Sequence, residues 1–135
     1  MDKILTPPHV TVLLSVYNGE RFLAEAIDSI LCQSYKNYEF IIIDDASTDS
    51  TAEILKRYER EDSRIKIVTN AVNLRLAASL NKGISLASGE LIARMDADDV
   101  SLPGRLEKQV AFMQANPNVS VCGTALSVYD SPSTV

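Results

Sequence analysis

"LIARMDADDVSLPGRL", residues 91–106, marks the end of a strand and decides which fold to expect. A short run of mostly apolar residues leads directly into Asp96, Asp98 and Asp99, and a helical pattern follows. Carboxylates this close together repel one another, and removing them from water costs still more free energy. The cluster therefore predicts a partner, either a cation or a set of polar donors, at the end of the strand.

Upstream of this stretch, strand and helix patterns alternate. Short apolar runs predict buried strands at 10–16 and 38–44, and further strands are predicted at 64–69, where apolar residues alternate, and at 90–95. Apolar periodicity predicts helices at 18–34, 50–61, 76–88 and 101–117. Ser50 and Glu53 have the spacing of a capping box, and Ser101 or a neighbour is expected to cap the last helix. Residues 119–128 predict a fifth strand or two short ones.

Strands separated by single helices imply an α/β fold, with a mostly parallel sheet flanked by helices in the order 3-2-1-4 plus one or more further strands. Ligands of such sheets bind beyond the carboxyl ends of the strands, where the strand order reverses. The polar residues that follow strands one, two and four are Tyr17, Asn18 and Glu20, then Asp44 and Asp45, then Asp96 and Asp98. The acidic residues thus fall at the rim where this architecture binds its ligand.

The absence of two common phosphate-binding motifs limits how this rim could bind a phosphate. The chain has neither G-x-G-x-x-G after the first strand nor G-x-x-x-x-G-K-[ST], so a phosphate ligand would need a divalent cation. Mg²⁺ and Mn²⁺ bind through one or two carboxylates together with substrate phosphates. In an extended segment, residues i and i+2 point to the same side, so Asp96 and Asp98 are expected to share one cation site.

Asp45 is set apart from this pair and is a candidate to accept hydrogen bonds from a nucleotide base. The alternative is that Asp45, like Asp44, Ser47 and Asp49, caps the helix that follows.

Composition restricts the class of protein. With 135 residues and 46% apolar content the chain suffices for one globular domain, and a net charge of −5 argues against a general nucleic-acid binder. No run approaches the roughly 18 apolar residues of a membrane span, and the first ten residues lack a signal-peptide core. Cys32 and Cys122 form no CxxC pair. We therefore expect a cytoplasmic protein, either free or peripheral to the inner face of a membrane.

Two long stretches carry a family resemblance. "VTVLLSVYNGERFLAEAIDSILCQSYKNYEFIIIDDASTDST" (10–51) and "NKGISLASGELIARMDADD" (81–99) together resemble the family 2 glycosyltransferases of GT-A fold. The resemblance runs from about Val10 to about Thr124, with several motifs in order and at the expected spacing. It implies a Rossmann-like GT-A fold, the N-terminal part of which binds a nucleotide-diphospho-sugar, a UDP-sugar being favoured, with Mg²⁺ or Mn²⁺.

By position, the resemblance also implies the site residues. Ser15, Val16, Tyr17 and Asn18 correspond to the first nucleotide-binding segment, and Glu20 falls within the same motif. Asp45 corresponds to the carboxylate that reads the base. Asp96 and Asp98 correspond to the metal-binding D-x-D pair, with Asp98 the more direct ligand and Asp96 nearer the ribose. Many relatives have Gly where this chain has Arg75, and glycine would suit a tight turn there. Three alternatives follow for Arg75: it strains the turn, it supplies a cation to the diphosphate, or its side chain is solvated.

The implied reaction is inverting transfer, in which a carboxylate deprotonates the hydroxyl of a carbohydrate or glycolipid acceptor. No residue after Asp99 matches that base, because Glu107 lies in a helix pattern and Asp130 in a polar tail, so the catalytic residue is unknown. We expect a leader at 1–9, a GT-A domain at 10–128 that is truncated at its C-terminus, and a tail at 129–135. Apolar surface exposed by the truncation would favour self-association.

Two other functions compete with this interpretation. The chain would be a non-catalytic domain that binds only a nucleotide or a partner, or a Mg²⁺-dependent phosphoryl-transfer domain. The second alternative needs a lysine near the site and downstream of it, whereas the last lysine, Lys108, lies inside a helix pattern.

Overall fold

The computed structural model describes residues 9–128, in which four strands alternate with four helices. In chain order they are β1 (Val10–Val16), α1 (Leu23–Leu31), β2 (Tyr38–Asp44), α2 (Thr51–Glu61), β3 (Ile65–Thr69), α3 (Arg75–Leu86), β4 (Leu91–Asp96) and α4 (Arg105–Ala115). The strands form one parallel sheet in the order β3-β2-β1-β4, which confirms the predicted topology. The predicted tail and all of the leader except His9 lie outside the described residues.

β1 is the strand around which the sheet is built. It pairs with β2 from Val10↔Tyr38 to Val16↔Asp44 and with β4 from Val10↔Leu91 to Ser15↔Asp96. Every residue of β2 is buried, as expected of a parallel strand covered on both faces. This register places Asp44 and Asp96 on either side of the carboxyl end of β1.

The two faces of the sheet are covered unequally. Helices α1, α2 and α4 pack on one face through a large apolar cluster that includes Leu23, Leu55 and Leu106. On the other face α3 alone covers a small cluster of buried residues, Leu13, Ile41 and Ile43. α3 lies close to the sheet because residue 83 is glycine: a Cβ there would come within 2.2 Å of Leu13 Cδ1.

Two helix starts and one predicted capping box differ from the prediction. α1 begins at Leu23 rather than at Asn18, because Asn18 has a left-handed φ of +52° and residues 20–22 form a turn. α4 begins after Gly104, which has φ +80°, and Ser101 makes no cap to it. At α2, Ser50 makes no capping hydrogen bond through its side chain, so the predicted capping box is wrong as well.

The predicted fifth strand is also wrong, since residues 119–128 contain no strand. Their apolar alternation resembles a strand, but a strand needs the backbone of a neighbour. Val121, Leu126 and Val128 are instead all at least 80% exposed. Among residues 9–128 the sheet therefore ends at β4, and no helix in this part of the chain is long and apolar enough to cross a membrane.

Candidate functional site

A cleft of about 320 Å³ opens at the carboxyl ends of β1 and β4. Six of the nine predicted site residues line it, namely Ser15, Val16, Tyr17, Asn18, Asp96 and Asp98. Gly19, Phe22 and Ala97 complete the lining and were not predicted. The pairing of Ser15 with Asp96 explains the convergence, since it sets the first predicted binding segment directly beside the D-x-D segment.

The sequence predicts an extended D-x-D segment, but in the structure the segment is not extended throughout. β4 ends at Asp96, and the chain turns so that the N–H of Asp99 donates to the Asp96 carbonyl oxygen at 3.2 Å. Asp98 lies within this turn, yet it lines the same cleft as Asp96. The shared site was correctly expected, but a turn and not strand geometry brings the two carboxylates to it.

The donor set at this turn suits a hard divalent cation that arrives with a substrate. The Asp96 side chain is 42% exposed, and Asp98 is exposed as well, so both carboxylates are accessible from the cleft. No group of three or more His, Cys, Asp or Glu within residues 9–128 is arranged to hold a metal ion alone. Two carboxylates leave most coordination positions for water and phosphate oxygens, which is how Mg²⁺ is commonly held.

One wall of the cleft is fixed by hydrogen bonds between two loops. Asn18 Oδ1 accepts from the Thr48 N–H at 2.8 Å, and Glu20 Oε2 accepts from the Ser50 N–H at 3.0 Å. In return, the Asn18 N–H donates to Ser47 Oγ at 3.0 Å and the Gly19 N–H to Thr51 Oγ1 at 2.9 Å. Glu20 is not among the residues that line the cleft, and its carboxylate supports the loop before α2.

Asp45 is only 3% exposed and binds the turn before α3. Its Oδ1 accepts from Asn70 Nδ2 and from the Leu74 N–H, and its Oδ2 accepts from the Arg75 N–H, each at 2.8 Å. Burial alone would raise the pKa of Asp45, but these hydrogen bonds outweigh it and hold the pKa below its ordinary value. Asp45 therefore stabilises a helix start, as the alternative prediction suggested, but that of α3 and not of α2.

Strained backbone is concentrated at this rim. Asn18, Ala46 and Arg75 have φ values of +52°, +63° and +67°, and each follows closely on β1, β2 or the loop after β3. Left-handed backbone costs a residue with a Cβ on the order of 1 kcal/mol, and such residues cluster at functional sites. The sequence indicated this turn only at Arg75, where relatives were expected to have glycine. The Arg75 side chain is exposed.

Gln33 is fully buried and was missed in the sequence analysis. Its Nε2 donates to the carbonyl oxygens of Leu102 at 3.0 Å and Ser101 at 3.3 Å, and its Oε1 accepts from the Leu106 N–H at 3.1 Å. These bonds tie the end of α1 to the loop that follows the D-x-D turn. Gln33 follows the apolar face of α1 in the sequence, and no sequence pattern distinguishes a buried glutamine at that position from a solvated one.

Comparison with known proteins gives a consistent result. Residues 11–134 match the sequence model described as "Glycosyl transferase family 2". The chain is 55% identical over 124 residues to the putative glycosyltransferase EpsE of Bacillus subtilis (strain 168), covering 91% of the chain and 45% of that protein. It is 38% identical over 111 residues to the Escherichia coli UDP-Glc:alpha-D-GlcNAc-diphosphoundecaprenol beta-1,3-glucosyltransferase WfgD, covering 82% and 43%.

Solved structures agree with this match. S. aureus TarS 1–349 in complex with UDP-GlcNAc has a TM-score of 0.75 at 25% identity, covering 80% of this chain and 32% of that one. The mannosyltransferase PcManGT from Pyrobaculum calidifontis, in complex with GDP-Man and Mn²⁺, has a TM-score of 0.65 at 29% identity, covering 71% and 29%. The chain thus spans less than half the length of these relatives.

Proposed function

Because this chain belongs to glycosyl transferase family 2, whose nucleotide-sugar-binding domain it contains, we propose that its cleft holds the diphosphate of a sugar donor through a divalent cation. The single observation that carries the proposal is the register of β1 with β4. It sets Ser15 beside Asp96 and so joins the predicted nucleotide-binding segment and the D-x-D turn in one cleft. Neither segment alone would form such a site.

Asp98 and Asp96 are the residues that we propose for Mg²⁺ or Mn²⁺. Two observations support this assignment. Both carboxylates are accessible in the cleft, and the relative PcManGT was solved in complex with GDP-Man and Mn²⁺. A cation held there would neutralise the diphosphate and stabilise it as the leaving group. The chain's own contribution is to position the two carboxylates on a turn that begins at the end of β4 and is closed by the hydrogen bond from the Asp99 N–H to the Asp96 carbonyl oxygen.

For the nucleotide, we propose that residues 15–18 form one wall and that Asp45 reads the base. An ionised carboxylate accepts from the ring N–H of uracil or guanine, whereas cytosine offers an acceptor at the corresponding position. Asp45 Oδ2 accepts one hydrogen bond in the structure, from Arg75, and so retains capacity for a second. The TarS complex with UDP-GlcNAc supports a UDP-sugar as the preferred donor.

Transfer itself is proposed for the whole protein and not for the described residues alone. Within residues 9–128 the cleft is lined by no carboxylate besides Asp96 and Asp98, so no general base for the acceptor is identified there. An inverting reaction would require such a base. A carbohydrate or glycolipid acceptor is proposed by analogy, since the name of WfgD gives a sugar diphospholipid as its acceptor.

The test is calorimetric titration of the chain with UDP, GDP, CDP and dTDP, in Mn²⁺ and again in EDTA. We expect one nucleotide to bind in Mn²⁺ and its affinity to fall at least about tenfold in EDTA and in Asp98→Asn, since charged hydrogen bonds and metal contacts are worth about 1.5–3 kcal/mol or more. Glu61→Gln removes one negative charge at the far end of α2 and should bind as the wild type does.

Absence of binding for all four nucleotides would refute the proposal. Binding that persists in EDTA and in Asp98→Asn would favour the non-catalytic nucleotide-binding alternative. Hydrolysis of simple phosphate esters would favour the phosphoryl-transfer alternative.

A further inference from the structure

Arg94 and Asp96 lie two residues apart on β4 and form an ion pair at the edge of the cleft. Arg94 Nη2 is 2.5 Å from Asp96 Oδ1, and the two side chains are 50% and 42% exposed. Their spacing places both on the side of the sheet that α3 covers, where α3 packs mainly on β1 and β2. The pair therefore occupies one carboxylate of the D-x-D turn while remaining open to solvent.

A second arginine nearby is not available for this purpose. The Arg105 guanidinium donates to the Arg94 carbonyl oxygen and to Ser101 Oγ, each at 2.8 Å, and to Gln109 Oε1 at 3.0 Å. Arg105 is thus committed to the loop and edge around α4. Within the described chain, Asp96 is the one ion-pair partner of Arg94, whose guanidinium is otherwise unrestrained.

The charges of the turn indicate when Arg94 pairs with Asp96 and when it separates from Asp96. Asp96, Asp98 and Asp99 place three carboxylates within four residues, and Arg94 relieves their repulsion. A divalent cation held by Asp96 and Asp98 would relieve the same repulsion more strongly and would repel the guanidinium. An ion pair this exposed to solvent contributes little to stability, so a competing cation can replace the guanidinium at Asp96.

We propose that Arg94 is the counter-ion of the metal-free D-x-D turn: the cation displaces it from Asp96, and the released guanidinium pairs with the diphosphate of the donor. This inference rests on the proposed function. A guanidinium presents a planar fork of N–H donors that fits phosphate oxygens. Arg94 then opposes binding of the bare cation and favours binding of the nucleotide, which couples the two ligands.

The test compares Arg94→Met with Arg60→Met. Methionine keeps much of the side-chain volume without the charge, and Arg60 is an exposed arginine in the last turn of α2, bonded only to the Lys56 carbonyl oxygen at 3.1 Å. Binding of Mn²⁺ alone is measured by the electron paramagnetic resonance signal of the free ion. Binding of UDP at saturating Mn²⁺, or of whichever nucleotide the first titration selects, is measured by calorimetry.

We expect Arg94→Met to bind Mn²⁺ alone about two- to fivefold more tightly, since the competing ion pair is lost. At saturating Mn²⁺ we expect it to bind the nucleotide about tenfold more weakly, since charged hydrogen bonds to phosphate are lost. Arg60→Met should match the wild type in both measurements. A purely structural role of Arg94 would shift both affinities in the same direction.

Any pattern other than two shifts of opposite sign overturns the inference. If the wild type binds Mn²⁺ and nucleotide while Arg94→Met behaves identically, this inference fails and the proposed function stands. If the wild type binds neither ligand, the proposed function fails and the role of Arg94 fails with it.

Discussion

Arg75 has a φ of +67° although it carries a full side chain, and its N–H donates to Asp45 Oδ2. Glycine adopts this backbone without steric cost, which explains why relatives were expected to have it there. The side chain is exposed. An arginine at this position therefore lowers the free energy of unfolding, and burial of its side chain does not compensate for that cost. A role in ligand binding remains one of the predicted alternatives.

Arg75→Gly is expected to raise the free energy of unfolding by about 0.5–1 kcal/mol, because the left-handed strain is removed while some chain entropy is gained in the unfolded state. Arg75→Ala keeps the Cβ and should give no gain. Urea unfolding measures both variants. If they have equal stability, the strain argument is wrong.

Residue roles could be predicted from the sequence only where a motif fixed them. The sequence indicated that Asp96 and Asp98 share a site, and both line the cleft. It did not indicate that Asp45 binds the turn before α3, 29 residues further on, since such a contact depends on how two loops meet. Gln33 escaped for the same reason, since its partners follow it by about 70 residues in the chain.

At the scale of elements, Glu39 joins β1, β2, β3 and the connection from α3 to β4. The carboxylate accepts from Thr11 Oγ1 at 2.7 Å, Lys66 Nζ at 2.6 Å and both the N–H and Oγ of Ser88, at 2.6 and 2.7 Å. Burial would raise the pKa of Glu39, but these bonds, that of Lys66 foremost, lower it from 4.5 to about 2. The carboxylate thus ties Ser88, in the connection that leads to β4, to the three strands β1, β2 and β3.

This network predicts an acid-sensitive fold. A carboxyl whose pKa is lowered on folding stabilises fully above its unfolded pKa, and the stabilisation is lost as pH falls through the folded pKa. For Glu39 this window runs from pH 4.5 down to about 2, and the loss is about 3 kcal/mol. Urea unfolding across this range should show a steeper decline for the wild type than for Glu39→Gln. Parallel declines would contradict the assignment.

Element types were easier to predict than element ends. Apolar periodicity located all four strands and all four helices, because burial alone dictates it. The starts of α1 and α4 were wrong, because Asn18 before α1 and Gly104 before α4 both have left-handed backbone, with φ of +52° and +80°. The run at 119–128 has a strand pattern but no neighbouring strand within the described residues.

At the scale of the molecule, the sheet has three helices on one face and one on the other. The thinly covered face leaves large apolar side chains in solvent, of which Leu76, Ile84 and Leu86 belong to α3 and Ile92 to β4. Ile92 lies on the edge strand β4 and is 42% exposed, so α3 does not cover it fully. An exposed apolar surface of this kind is typical of a face that another chain or segment covers.

The self-association expected from the sequence therefore stays a prediction, and this face is where it would occur. Light scattering should show a mass that rises with protein concentration for the wild type. The double variant Ile84→Glu and Ile92→Glu should stay at the monomer mass, because a carboxylate buried without a partner is costly. If the wild type remains monomeric at high protein concentration, the predicted self-association is excluded.

The position of β1 in the middle of the sheet has a consequence for synthesis on the ribosome. β1 emerges first, but one of its two edges stays without a partner until β4 emerges, some 50 residues after the end of β2. At 5–20 residues per second this interval lasts roughly 3–10 seconds. A nascent chain thus passes through a stage with an open, apolar strand edge that nascent-chain chaperones could protect, and the cleft forms only after β4 and the turn at residues 96–99 have emerged.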